Sequence, residues 1–575
     1  MLKLAERLKP YTASIVFALL LVLARVLADL SLPTLMARIV DEGIAAGDIG
    51  LIWRTGAWML LLALGGIAAM FASGYLASRT AIGFGRDIRS ETFRKITAWS
   101  LEGIDRFGAS SLVTRVTNDA TQVQQLVFMM LRMMAMAPLM AIGGLAMAIS
   151  KEPRLSWILG VSIPALVLVI MLVAKKGLPL YGLVQKKLDA LNRVLREKLA
   201  GARVIRAFDR GASEEARFDA ANADLTALTL KVQRIIAVLF PFVMLVSNLS
   251  VIAIVWFGGR AINTGSVKIG SLMAFIQYTM QIMHSVVMLS MIFIMAPRAA
   301  ASASRIVEVL EADDPIRDPA RPADPPARSG RVEFRNVCFS YPGAEENALE
   351  DVSFSAEPGT VTAIIGSTGS GKTTALSLVE RFHDVRSGAV LVDGVDVREY
   401  AQKDLRARIG YAPQKAVLFS GSVADNVRFG APGADAEAVR KALAVAQAED
   451  FVEAMDGGVE AVMSQGGGTV SGGQRQRLAV ARAVARNPSI YLFDDTFSAL
   501  DALTDSRLRA ALRTETAGAT VIMVAQRVGT VRDADRIVVL DEGRVAGIGS
   551  HEELLSSNAV YREIVQSQLS GEESA

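Results

Sequence analysis

Nine consecutive residues carry the plainest chemistry in this chain: Gly366, Ser367, Thr368, Gly369, Ser370, Gly371, Lys372, Thr373 and Thr374. The run Gly-Ser-Thr-Gly-Ser-Gly-Lys-Thr is a phosphate-binding loop pattern. Glycines at this spacing let backbone N–H groups turn inward around phosphate oxygens. A helix starting at the same point aims its positive dipole end at the anion. Lys372 is spaced to reach the β- and γ-phosphates, and the Thr373 hydroxyl to hold Mg²⁺. The loop needs a strand before it and a helix after it. Val361-Thr-Ala-Ile-Ile365 reads as that strand, and the apolar stretch after Thr374 reads as that helix.

The rest of the chain must position this loop, and composition shows that much of it does so from a membrane. A length of 575 residues implies more than one domain. Hydrophobic residues make up 51% and mean hydropathy is +0.35, high for a soluble protein. The net charge of +3 gives no basic footprint for nucleic acid. The single cysteine, Cys338, excludes an internal disulfide and a cysteine zinc site. It lies in strand-like Val337-Cys-Phe-Ser340 and reads as a small core residue. Three histidines are too few for a histidine metal site.

The long apolar stretches all fall within residues 1–305, near 13–35, 54–76, 126–149, 155–174, 235–257 and 271–296. Each is close to the ~20 residues needed to cross a bilayer. The first follows Lys3, Arg7 and Lys9 and is longer than a signal-peptide core, so it reads as a retained membrane helix. Segments 77–125 and 175–234 are polar and rich in Arg and Lys, while 41–52 carries Asp41, Glu42 and Asp48. The positive-inside rule places the two long segments and both termini in the cytoplasm. Those segments keep helical periodicity and should extend the membrane helices. A Pro-rich charged stretch, Leu310 to Arg328, reads as a linker. The predicted organisation is an all-α six-helix transmembrane domain over 1–308, a linker over 309–330 and an α/β P-loop nucleotide-binding domain over 331–575.

Ser471-Gly-Gly-Gln-Arg-Gln-Arg477, after Val470, closely resembles the signature motif of ATP-binding cassette (ABC) transporters, which usually begins with Leu. P-loop and signature at this spacing form a specific combination. Leu32-Pro-Thr-Leu-Met-Ala-Arg-Ile-Val-Asp-Glu-Gly43 and Gly201-Ala-Arg-Val-Ile-Arg-Ala-Phe208 resemble the membrane domain of exporter-type half-transporters. The resemblance implies two cassettes meeting head to tail, with ATP between the P-loop of one and the signature of the other. It assigns Tyr341, in Phe339-Ser-Tyr-Pro342, to stacking on adenine. Gln414 becomes the Q-loop residue, touching Mg²⁺ and facing the membrane domain. Asp494 becomes the Walker B carboxylate for Mg²⁺, and Asp501, in Ser498-Ala-Leu-Asp501, belongs to the D-loop. Ser471, Gly472, Gly473 and Gln474 would serve nucleotide held by the partner. Turns near Gly103–Ser110 and Phe208–Ser213 match the coupling helices.

Two positions depart from the family, and both concern hydrolysis. The glutamate that usually follows the Walker B aspartate is Asp495 here, and the switch-loop histidine is Gln526, in Val524-Ala-Gln-Arg527. An aspartate withdraws its carboxylate by roughly 1.5 Å. Misplacement on that scale can cost ~10²-fold in rate. A glutamine can hydrogen-bond a phosphate but cannot carry charge. The segment Ser464 to Val470 also lacks the family's Glu-Arg pair. Together these features predict a site that holds ATP and hydrolyses it slowly, beside an intact signature. The expected assembly is a heterodimer with a second half-transporter in a lipid bilayer. The expected activity is ATP-driven export or flipping of hydrophobic or amphipathic small molecules or lipids. Import of a lipophilic metal chelate, or a non-transporting regulatory role, are the alternatives. Arg25, Asp29, Arg132, Gln277, Tyr278, Gln281, His284 and Ser285 are the polar candidates for a pathway, among many methionines.

Overall fold

The computed structural model describes residues 2–572 apart from 325, without the side chains of 2, 178, 291–295, 465 and 569–572. Residues 573–575 of the predicted nucleotide-binding domain and 325 of the predicted linker lie outside it, as do the 291–295 side chains of the last predicted span. The chain forms two units, Met1–Ala98 with Gly108–Ala312, and Trp99–Phe107 with Asp313–Ala575.

Among the described residues of the first unit, six helices are long and apolar enough to cross a membrane: Lys3–Ile44, Ile49–Thr97, Ala109–Lys151, Pro153–Ala200, Gly211–Asn263 and Ile269–Ser290. The last runs on to Glu311. The first five span 42 to 53 residues, about twice what a bilayer requires. The polar segments flanking the apolar spans are therefore helical, as their periodicity predicts. Two π turns, Arg115–Asp119 and Met130–Met134, interrupt the third helix. A bilayer offers no water to backbone or side-chain polar groups, so they pair internally. The buried Tyr278 hydroxyl donates to Leu30 O at 2.7 Å and meets Thr34 Oγ1 at 2.6 Å. Ser162 and Ser250 hydroxyls meet at 2.6 Å. Outside the apolar spans, Arg305 Nε donates to buried Asp119 at 2.7 Å, tying the last helix to the third.

The second unit is α/β. A four-stranded antiparallel sheet has the order β2-β1-β4-β5, from Val332–Phe339 (β1), Leu349–Ala356 (β2), Ser387–Val392 (β4) and Val395–Asp396 (β5). A six-stranded sheet has the order β12-β11-β3-β10-β9-β6. Its members are Val361–Gly366 (β3), Ile409–Ala412 (β6), Ile490–Asp494 (β9), Thr520–Val524 (β10), Arg536–Asp541 (β11) and Arg544–Gly549 (β12). Gly421–Ser422 (β7) pairs with Val462–Met463 (β8). The central strands β3, β10 and β9 are buried on both faces and are largely apolar, whereas the edge strand β12 is not. Alternate residues feed two cores: Ala363, Ile365, Tyr491 and Phe493 enter one, and Ile364, Ile490 and Leu492 the other. Strands β3, β10 and β9 are parallel neighbours, with Val524 aligned to both Ile364 and Asp494. Their carboxyl ends therefore bring Gly366, Asp494, Asp495 and Gln526 to one edge of the sheet, where open α/β sheets bind ligands.

Candidate nucleotide site

The P-loop runs from β3 into the helix Lys372–Val379. Gly369 and Gly371 adopt φ of 87° and 93°, the left-handed region that glycine tolerates best. A Cβ on Gly371 would also lie 2.6 Å from Ala348 O, so glycine is required there on two counts. Lys372 is buried, and its ammonium donates to Gly366 O at 2.9 Å and Ser367 O at 2.6 Å. Burial lowers its pKa, while Asp495 and Asp494 act in the opposite direction. The lysine thus sits folded into a loop of carbonyls, beside backbone N–H groups that can turn to phosphate.

Thr373 Oγ1 donates to Asp494 Oδ1 at 2.8 Å. Burial raises the Asp494 pKa and the neighbouring Asp495 adds to this, against Thr373 and Lys372. Two hard oxygen donors therefore converge beside the loop. This suits Mg²⁺, which takes one or two protein oxygens and fills the rest of its octahedron from phosphate and water.

Asp495 is buried, has φ of 45°, and donates its N–H to Val524 O at 3.0 Å. Its Oδ2 accepts from Gln526 Nε2 at 3.0 Å and from Gln414 Nε2 at 3.3 Å. The two positions that depart from the family pattern are thus joined to each other, and the Q-loop residue shares the same oxygen.

Tyr341 is 40% exposed and its hydroxyl meets Thr374 Oγ1 at 2.9 Å. Phe339 and His383 stand against its ring, with centroids at 4.9 and 5.4 Å. A ring held on one side and open on the other can offer a stacking face to a base. His383 Nδ1 lies 3.7 Å from Glu102, in the helix Leu101–Phe107. Asp314 accepts from Ser100 N–H at 2.7 Å, which anchors the same helix within this unit. The second stretch matched to the coupling helices, Phe208–Ser213, belongs to the first unit and spans the turn between the helices Ala202–Ala207 and Gly211–Ala237.

At the C-terminal end of the P-loop helix, sequence reasoning missed Glu380. It is 6% exposed, and its Oε2 has no partner among the described residues. Burial pushes its pKa up to about 8, against the pull of Arg406 and Arg486. No local spacing announces this group, because both arginines are distant in sequence.

The signature residues occupy the N-terminus of the helix Gly472–Ala485. Ser471 and Gln474 form a capping box: Gln474 N–H donates to Ser471 Oγ at 3.2 Å and Ser471 N–H to Gln474 Oε1 at 2.8 Å. Ser471 and Gly472 are exposed. A Cβ on Gly473 would lie 3.0 Å from Ala499 O, in the segment leading to Asp501. Asp501 caps the helix Ala502–Glu515 by accepting from Thr504 N–H at 2.9 Å. Tyr278, a predicted pathway residue, is instead locked into helix packing by the bonds described above. Arg25 and Asp29 pair at 3.5 Å.

A bundle of membrane helices joined to a P-loop unit with a separate capped signature defines an ATP-driven membrane transporter. Residues 15–286 match the ABC transporter transmembrane region family, and residues 349–498 match the ABC transporter family. An uncharacterised ABC transporter ATP-binding protein of Mycobacterium tuberculosis is 44% identical over 98% of this chain and 97% of its own length. A fatty acid ABC transporter ATP-binding/permease protein from the same species is 31% identical, covering 90% of this chain and 82% of its own. A bacterial Atm1-family ABC exporter solved with ATP bound shares the fold, with a TM-score of 0.81, 24% identity and 98% of both chains covered. The chain belongs to the ABC transporter family. One membrane domain followed by one cassette makes it an exporter-type half-transporter, a multi-pass membrane protein whose ATPase domain is cytoplasmic.

Proposed function

We propose that this chain is one subunit of a heterodimeric exporter or flippase for hydrophobic or amphipathic small molecules or lipids. Its own P-loop site holds ATP and hydrolyses it slowly. Its signature completes the faster site on the partner half-transporter. The observation that carries this reading is the wiring of Asp495. A hydrolytic carboxylate must reach the attacking water and be free to turn toward it. The Asp495 side chain is one methylene short, and the amides of Gln526 and Gln414 both donate to one of its oxygens. Gln526 is thereby directed at the carboxylate, where a charged switch residue would serve the phosphate.

The ATP-holding residues are Tyr341 for the base and Gly366 to Thr374 for the phosphates. Thr373, Asp494 and Gln414 are the candidates for Mg²⁺, which would offset phosphate charge when bound. Ser471 and Gln474 cap the helix start with each other's N–H groups, which leaves the Gly472 and Gly473 N–H groups suited to a γ-phosphate held by the partner. The fatty-acid transporter relative supports an amphipathic cargo.

The test is to purify the full chain alone and with its partner and measure phosphate release. Slow turnover alone and fast turnover with the partner is expected. Turnover by the isolated chain as fast as the assembled complex would refute the slow-site reading.

A further inference from the structure

Between the third and last membrane helices lies a cavity of about 270 Å³, lined by Met136, Met140, Met280 and Met288, with Gln281 and His284 giving it a polar edge. On the third helix, Arg132 precedes Met136 by four residues and Met140 by eight. Residues at these spacings share one helix face. At about 1.5 Å per residue, they stand roughly 6 and 12 Å beyond the guanidinium's own backbone. The π turn Met130–Met134 carries Arg132 at the point where it enters the apolar span. Such turns recur at functional sites.

Arg132 is an unusual charge for its position. Among the described residues no carboxylate pairs with it. Its contact is the Phe128 ring, 5.8 Å from the guanidinium carbon. Arg25, by contrast, has Asp29. An arginine within a span is costly unless something neutralises it. Thioether side chains beside it are flexible and polarisable and accept apolar chains of varied shape. Cation and apolar cavity thus follow one another along one helix, in the order of head and tail of an amphiphile.

We propose that Arg132 and this methionine-lined cavity form a cargo subsite for an amphipathic anion, the acidic head on the guanidinium and the apolar tail among the methionines. The proposal rests on the transporter reading and names the class of its cargo. The guanidinium fork suits carboxylate and phosphate oxygens alike.

The test is photolabelling of the full chain in lipid nanodiscs. The probes are diazirine-bearing palmitic acid, its methyl ester, and a diazirine lysophosphatidic acid. The acids should label peptides containing Met136, Met140 or Met280 at about tenfold lower concentration than the ester. Arg132→Gln should erase that preference, and Arg132→Lys should keep most of it. Stronger labelling by palmitic acid assigns a carboxylate head, and stronger labelling by the lysophosphatidic acid a phosphate head. Equal labelling by acids and ester in the wild type, or a preference that survives Arg132→Gln, overturns the subsite. Palmitate uptake into inside-out vesicles that hold the chain assembled with its partner separates this from the transporter reading. Acid-selective labelling with no ATP-driven flux sinks the transport reading and leaves the subsite. Palmitate flux unchanged by Arg132→Gln sinks the subsite and leaves the transporter.

Discussion

On the P-loop side of the cassette, Lys372, Asp494 and Asp495 are buried and tied to one another's neighbours by side-chain hydrogen bonds. On the signature side, Ser471 and Gly472 are exposed and organised only by their own helix cap. The first arrangement is tied up within its own chain, with one oxygen of the Asp495 carboxylate already accepting from two amides. The second leaves donors facing outward, which has a use only if another molecule brings the phosphate. On the function proposed above, burial separates a holding role from a donating one within a single domain.

The comparison breaks first at the signature. In the assembled complex, Ser471→Ala removes the hydroxyl that caps the signature helix and misplaces its N–H groups, which should lower ATP turnover by up to about 10²-fold. Lys372→Ala should leave turnover within about tenfold of wild type while abolishing photolabelling of this chain by azido-ATP. The reverse ranking in a phosphate-release assay would mean that hydrolysis resides on the P-loop side.

A gain of function comes next. With the partner's own hydrolytic site silenced, Asp495→Glu with Gln526→His should raise residual turnover by up to about 10²-fold. Each single change should give much less, because Gln526 and Asp495 touch and their effects are coupled. No gain from the pair would show that the altered positions are not what slows this site.

A smaller effect sharpens the buried side alone. Glu380 keeps its proton in the folded state up to about 8, against 4.5 for the ordinary group. The folded state therefore binds more protons than the unfolded state across that window. Stability falls as pH rises through it and levels off above. Hydrogen-exchange protection of the helix Lys372–Val379, corrected for intrinsic rates, should fall from pH 5 to 8. Glu380→Gln should flatten the slope, with no change at the signature helix. Smallest of all, Tyr341→Phe removes the hydroxyl contact with Thr374, worth ~0.5–1.5 kcal/mol. It keeps the ring, so ATP affinity by titration should change less than about threefold, whereas Tyr341→Ala should weaken it by tenfold or more.

The membrane spans were legible because a bilayer imposes a length of apolar chain, and the P-loop because phosphate chemistry demands particular residues at fixed offsets. The π turns at Arg115–Asp119 and Met130–Met134 were not, since an extra residue in a turn barely disturbs an apolar pattern. Asp495 and Gln526 stood out one at a time as altered residues. Their hydrogen bond to each other spans 31 positions, and the Gln414 bond 81. Such contacts follow from the order of parallel strands, which local spacing does not encode. The same holds for Trp99–Phe107, which belongs to the cassette unit although it lies between two membrane helices in sequence.

The left-handed backbone at Asp495, with φ of 45°, has a consequence for how such a site can change over time. Aspartate adopts this conformation several-fold more readily than most residues, because its short polar side chain can bond locally. Glutamate lacks that relief. Replacing glutamate by aspartate at this position therefore trades reactivity for backbone comfort, and the return step has to surrender that comfort before it regains any rate. If this site holds ATP as proposed, a lineage that drifts into it finds the way back uphill in stability, and a division of labour between two subunits is easier to enter than to leave.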